Sequence, residues 1–418
     1  MPKTSVIASI TLGLASLTVA QPGYVSPLTG SLSTHDPVLI KQDSVYYLFH
    51  TGNGVPVKTS GDRLQWDEGS PPSVYTNAPA WHAAFRNTID SWAPAISYWG
   101  GKYWLYYSIS NFGSRISAIG LRTNTTLHPS DTAYRWVDQG MVVCTHNVPA
   151  AAPDCYQAPT TSVNSTDTTA FNAIDPDVVL DSTGTPWLSW GSFGAGIQII
   201  RLNPLTGKPD SGAQPRTIAH RYTTSSASGS GYERSIEAPV ISRRDGWYYL
   251  WYSHDRCCAR TMSTYKIMVT RSREVTGPYV DKEGNLAHPP FRADGATTGN
   301  WQTANAGTLV SQGDATHWFA TGHNDIFVEN DTTFLVNHGY IRSGGQTRLM
   351  IRPLYWDSTG WPTLDSTQGR VTSTAGKRPA LPPRVQRRME GLWVPWNGSL
   401  KDIRGRNQPR LRATEPPR

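Results

Sequence analysis

The chain has 418 residues, with 38 Lys and Arg against 31 Asp and Glu and a formal net charge of +7. Twelve of the basic residues but only three of the acidic ones fall in residues 367–418, so the basic excess belongs to that stretch and argues against a nucleic-acid-binding body. Aromatics at 11%, 16 Trp among them, exclude a disordered chain, a coiled coil and collagen.

The first element in chain order is a leader. Lys3 precedes the apolar run Val6–Ala20, which ends Thr18-Val19-Ala20 before Gln21. It is shorter than the ~20 residues a spanning helix needs. Residues 1–20 therefore read as a cleaved secretory signal, which predicts an extracellular protein with no membrane partner. Sequons at Asn124, Asn164, Asn330 and Asn397 agree with export. Four cysteines in such a chain invite disulfides, with three pairings open. Cys144 and Cys155 could close a Pro/Ala-rich loop, while the adjacent Cys257 and Cys258 would bond to each other or to the other two.

Beyond the leader a short aromatic strand recurs: Tyr46–His50, Tyr103–Tyr107, Trp187–Trp190, Trp247–Tyr252 and Phe334–His338. A polar or glycine turn precedes most copies, and before each turn lies another short strand. Four of these open on proline, at Pro37, Pro94, Pro176 and Pro239, and the fifth opens at Asp325. Proline is tolerated at the first residue of a strand, where its missing N–H costs least. Five such units predict an all-β, five-bladed propeller with four-stranded blades around a central channel. A two-sheet sandwich would not repeat one strand pair five times. The predicted domain spans residues 21–366, and residues 367–418, rich in Arg and Pro, read as a tail without regular structure.

First strands of propeller blades line the channel, so Asp36, Ala93, Asp175, Glu237 and Asn324, read as one register, should ring its mouth. Three of them are acids. Carboxylates converging on a cleft suit glycosidic hydrolysis, in which one protonates the leaving oxygen and another activates water. A single Asp-Pro more often starts a turn, but three acids in one register favour catalysis. Of the aromatics near strand ends, which include Trp81, Trp99, Trp190 and Trp251, Trp92 and Phe112 are the expected sugar-stacking pair. His35, His50, His82, His254 and His338 read as partly buried side chains. His323 stands apart because it lies beside the blade-five mouth position and aligns with His35.

These residues carry a resemblance. His35-Asp36-Pro37, Ser91-Trp92-Ala93-Pro94, Ser110-Asn111-Phe112-Gly113-Ser114, Asn172-Ala173-Ile174-Asp175-Pro176, Trp190-Gly191-Ser192-Phe193, Ile236-Glu237-Ala238-Pro239 and Gly277-Pro278-Tyr279 are similar to motifs of the endo-1,5-α-L-arabinanases of glycoside hydrolase family 43. The resemblance spans Thr34 to Trp361. It implies inverting hydrolysis of arabinan, the pectin side chain, with Asp36 as general base and Glu237 as general acid. Asp175 would orient that acid and raise its pKa. Phe112, Gly113, Asn172, Ala173, Ile174, Ser192, Phe193 and Gly194 would contact sugar beside Trp92. His323 would lie by one channel calcium ion held mainly through water, with no organic cofactor. The expected partner is the polysaccharide alone, met by a monomer. Ala95, Arg115 and the tail depart from the pattern. An exo-acting arabinofuranosidase or β-xylosidase and a non-catalytic carbohydrate-binding propeller remain the alternatives.

Overall fold

The structure, a computed structural model, describes residues 26–145, 155–157, 170–221, 234–288 and 305–367. The leader, the sequons at Asn164 and Asn397 and the tail beyond residue 367 lie outside those residues.

The second strand of each blade explains the aromatic repeat. Val45–Phe49, Lys102–Ile109, Pro186–Trp190, Trp247–His254 and Thr332–Ile341 each have a hydrogen-bonded neighbour on both edges. Both of their faces also meet other blades, so alternation gives way to a nearly continuous apolar run, as in Tyr103–Ile109. Tight turns supply the reversals. In Asp245-Gly246 both residues have positive φ (50° and 75°), the conformation a two-residue hairpin loop needs.

Five sheets result. Their innermost strands, Val38–Gln42, Asp90–Trp99, Asp177–Leu180, Ile236–Arg244 and Trp318–Glu329, touch in cyclic order, and the last meets the first around a channel. Between each pair of neighbouring blades lies a separate apolar core. One joins Phe49 and Val57 to Leu105 and Tyr107, and another joins Leu39 and Leu48 to Val336 and Leu349. The last of these cores closes the ring. The Leu349 N–H donates to Leu32 O at 2.9 Å across this seam, and further polar contacts reinforce it: Lys41 Nζ meets Glu329 Oε1 at 2.6 Å, and the Leu39 N–H donates to Asp325 Oδ2 at 2.8 Å.

The expected architecture holds, with differences in detail. Blade one has five strands, because Thr29–Gly30 pairs in parallel with Gln65–Ser73. Blade two has six, gaining Gly52–Asn53 inside and Tyr156–Gln157 outside. Three innermost strands start earlier than expected, at Asp90, Ile236 and Trp318, because they run through a bulge and do not begin at it. The cysteines pair as Cys144–Cys155 and Cys257–Cys258.

Candidate active site

The bulge builds the mouth. In each blade one residue at the head of the innermost strand has positive φ: Asp36 (50°), Ala93 (44°), Asp175 (57°), Ala238 (55°) and His323 (49°). Such backbone is costly outside glycine and persists only where its surroundings over-determine it. Here the N–H of each is tied to the preceding blade. Ala93 N donates to Thr51 Oγ1 (2.8 Å), Asp175 N to Ser108 Oγ (3.1 Å), His323 N to Ser253 Oγ (3.0 Å) and Asp36 N to His338 Nδ1 (3.1 Å). Blade three has Gly191 at the corresponding place, so Asp175 Oδ2 itself accepts from Ala238 N at 3.1 Å.

This geometry corrects the expected register by one residue. Asp36 and Asp175 are equivalent, but their blade-five counterpart is His323, not Asn324, and blade four contributes Ala238. Glu237 comes from the position before the bulge, level with His35, Trp92, Ile174 and Gly322. His323 therefore aligns with Asp36, not with His35. Gly322 is required as glycine, since a Cβ there would lie 1.8 Å from Cδ1 of the Tyr265 ring. That buried Tyr265 hydrogen-bonds the Glu237 carboxyl.

The acids occupy contrasting surroundings. Around Asp36, Thr51 Oγ1 donates to Oδ2 at 2.6 Å, while His323 Nδ1 (3.0 Å), His35 Nε2 (3.5 Å) and His338 Nδ1 (3.5 Å) approach Oδ1. Burial pushes the Asp36 carboxyl up, but His323, His35 and His338 with the Thr51 hydroxyl outweigh it and hold the pKa well below the ordinary range. At Glu237, Ser192 Oγ donates to Oε2 at 2.7 Å. Burial, joined by the charge of Asp36, nevertheless pushes Glu237 up against the Ser192 and Tyr265 hydrogen bonds. Asp175 is raised further by burial and then by Glu237 and Asp36. Two carboxyls crowded into one buried site do not ionise together, so this pair retains a proton that Asp36 does not.

The remaining expected residues divide. Trp92 is half-buried and its Nε1 donates to Asp90 Oδ2 at 3.0 Å, which fixes the ring at the mouth. Phe112 is 80% exposed beside Gly113, in the loop that joins Lys102–Ile109 to Ala118–Asn124 within blade two at the same end. Asn172 Oδ1 accepts from Ser117 Oγ at 2.7 Å. Ile174 is half-buried, whereas Ala173 is fully buried in the core between blades two and three, its N–H bonded to Thr145 Oγ1 at 2.7 Å. Ser192, Phe193 and Gly194 form a turn docked on blade four, with the Phe193 N–H donating to Ile236 O at 2.9 Å. Of the wider aromatic set, Trp99, Trp190 and Trp251 are core.

Sequence reasoning missed Thr51, Ser108, Ser253 and Tyr265, and took His338 for ordinary packing. A signal was present. Thr51, Ser108, Gly191 and Ser253 each stand immediately after an aromatic run and His338 stands at the end of one, where a hydroxyl or ring nitrogen is out of character with the run before it.

Comparison with known proteins places this geometry. The family model for glycosyl hydrolases family 43 matches residues 27–295. An extracellular exo-α-(1→5)-L-arabinofuranosidase of Cellvibrio japonicus is 33% identical over 81% of this chain and 88% of its own length. An extracellular endo-α-(1→5)-L-arabinanase of Bacillus subtilis is 34% identical over 79% and 87%. An exo-1,5-α-L-arabinanase structure from a bovine ruminal metagenomic library matches with TM-score 0.67 and 35% identity, covering 81% of this chain and 98% of that one.

Proposed function

The chain belongs to glycosyl hydrolases family 43, and from that premise we propose that it cuts 1,5-α-L-arabinofuranosidic bonds inside arabinan with inversion at the anomeric carbon. The observation that carries this reading is the opposite bias on two carboxyls of one mouth. Asp36 is biased toward its ionised form and Glu237 toward its protonated form. An inverting glycosidase needs that division. The Asp36 carboxylate takes a proton from water as the water's oxygen attacks the anomeric carbon. Glu237 delivers its proton to the departing sugar oxygen on the opposite side, so no alkoxide forms. Asp175, bonded to the backbone beside Glu237, positions the acid, and the two carboxyls share one retained proton. Trp92 and Phe112 offer ring faces to furanose C–H groups.

A hydrated calcium ion fits the channel beside His323. Asn324, 1% exposed, has both polar side-chain atoms buried with no hydrogen-bond partner among the described residues. Calcium prefers oxygen donors, so His323 would hold it through water. When bound, the ion supplies positive charge that favours an ionised Asp36. Chelation with EGTA should lower kcat, and added calcium should restore it.

We further propose that the chain acts outside the cell as a monomer, consistent with the extracellular relatives. Exo action is the second reading, favoured by the exo-acting relatives. Early products from linear arabinan decide between them. A ladder of oligosaccharides means internal cutting, and a single short product from the first minutes means exo action. No release of sugar at all would leave only a binding propeller.

A further inference from the structure

The loop that joins Trp247–His254 to Lys266–Ser272 within blade four, at the mouth, carries an unusual backbone. Asp255, Cys258 and Arg260 all have positive φ, at 70°, 61° and 52°. Within it Cys257 is bonded to Cys258. Cys257 is partly buried against Tyr265 and Tyr340, whereas Cys258 is exposed. None of the chemistry above uses this pair.

Two routes lead from it to Asp36. The first runs through side chains. Cys258 Sγ lies 3.7 Å from His35 Nε2. The His35 ring stacks on His338 with centroids 4.1 Å apart, and the same Nε2 is 3.5 Å from Asp36 Oδ1. The second runs through hydrogen bonds. The Cys258 N–H donates to Tyr340 Oη at 2.8 Å, and that oxygen is 3.3 Å from His338 Nε2. His338 accepts the Asp36 N–H at Nδ1, so in its neutral form the ring proton sits on Nε2 and points at Tyr340. Tyr340 thus receives two donors, one from each side. The far sulfur, on Cys257, packs in the cluster with Tyr265, the ring that bonds Glu237.

We propose that the Cys257–Cys258 disulfide is a positioning element for Asp36. The small ring closed by two adjacent bonded cysteines fixes the direction of the Cys258 N–H and the place of its sulfur. Through Tyr340, His338 and His35 it holds the Asp36 carboxylate in the orientation that water activation requires. It also forms the exposed lip of the cleft over His35. This role rests on Asp36 being the general base.

The test compares Cys257→Ser/Cys258→Ser, Tyr340→Phe and Asp36→Asn with the full-length oxidised chain on linear arabinan. Tyr340→Phe keeps the buried ring and removes only the hydroxyl, so it decides the matter if the double serine variant does not fold. Misplacing a catalytic group by about 1 Å costs up to ~100-fold. Both positioning variants should therefore lose about tenfold in kcat with KM nearly unchanged. The acid limb of kcat/KM should move to higher pH as the histidines loosen around Asp36. Wild-type kcat and an unmoved acid limb in both variants, beside an inactive Asp36→Asn, would overturn the proposal and leave the general base in place. A loss confined to KM or to melting temperature would overturn it equally. An active Asp36→Asn would instead remove the general-base reading on which it stands.

Discussion

Asp36 sits where blades five and one meet, and Glu237 sits where blades three and four meet. Both are at most 8% exposed, on innermost strands, at the same end of the channel. At the first seam a carboxyl meets imidazoles and a threonine hydroxyl, and its proton is lost easily. At the second it meets another carboxyl and two hydroxyls, and its proton is kept. Burial alone acts the same way on both. The difference comes from what each blade places across its seam, which is how similar side chains in one mouth acquire opposite proton biases.

Removing each carboxyl gives the largest expected effects and sharpens the assignment. A positioned acid or base contributes roughly 10²–10⁴-fold. Glu237→Ala should lose about 10³-fold on arabinan yet far less on a dinitrophenyl arabinoside, whose leaving group needs no proton. Asp36→Ala removes a step both substrates share and should fail on both. The reverse pattern in initial rates would mean the two roles are exchanged.

Intermediate effects come from trimming one seam at a time. Ser192→Ala deletes a donor to ionised Glu237, so the alkaline limb of kcat/KM should rise by about one pH unit. Thr51→Val deletes a donor to ionised Asp36, so the acid limb should rise by a similar amount. Each substitution should leave the opposite limb in place. If either moves both limbs, the seams are not independent.

The channel wall supplies a control with no expected role in hydrolysis. Asp177 accepts the Ile241 N–H at 2.8 Å, and burial, against that bond and with Asp325 nearby, pushes it up to about 7. Its folded pKa lies above its unfolded one. The folded state therefore binds the proton more tightly, and stability falls as pH rises from about 4 to about 7. Asp177→Asn cannot ionise. In EDTA-treated protein it should melt about 2 °C higher than wild type at pH 8 and no higher at pH 4. The smallest effect is expected from ending the chain after Asp365. The cut spares Trp361 and Leu364 in the core between blades four and five, so arabinan turnover should not change.

Much of this was legible in the sequence because the repeat is written in large side chains. Five aromatic runs, each flanked by turns, mark the second strands, whose burial on both faces demands such residues. Counting back one residue from each proline gives Asp36, Ala93, Asp175 and Ala238, which already sets Glu237 one residue before the level of the two aspartates. A bulge adds a residue without changing composition, so in blade five, where no proline marks the strand, the shift from Asn324 to His323 leaves no trace in the pattern. The extra strands Thr29–Gly30 and Tyr156–Gln157 are two residues long, too short to show any period. Two of the partners of Asp36, His323 and His338, come from blade five, which sequence proximity does not connect to blade one.

That last fact has a consequence for how activity arises during synthesis. The hydrogen bond from Asp36 to His338 spans 302 residues of sequence. A nascent chain that has completed blade four already carries all three acids, yet it lacks His323 and His338 and the seam that holds the first acid ionised. Such a chain, or one clipped within blade five, should be catalytically silent, since it lacks two of the partners of Asp36. Turnover therefore reports that the two ends of the ring have met, a step that secondary-structure spectroscopy, dominated by the other blades, would barely register.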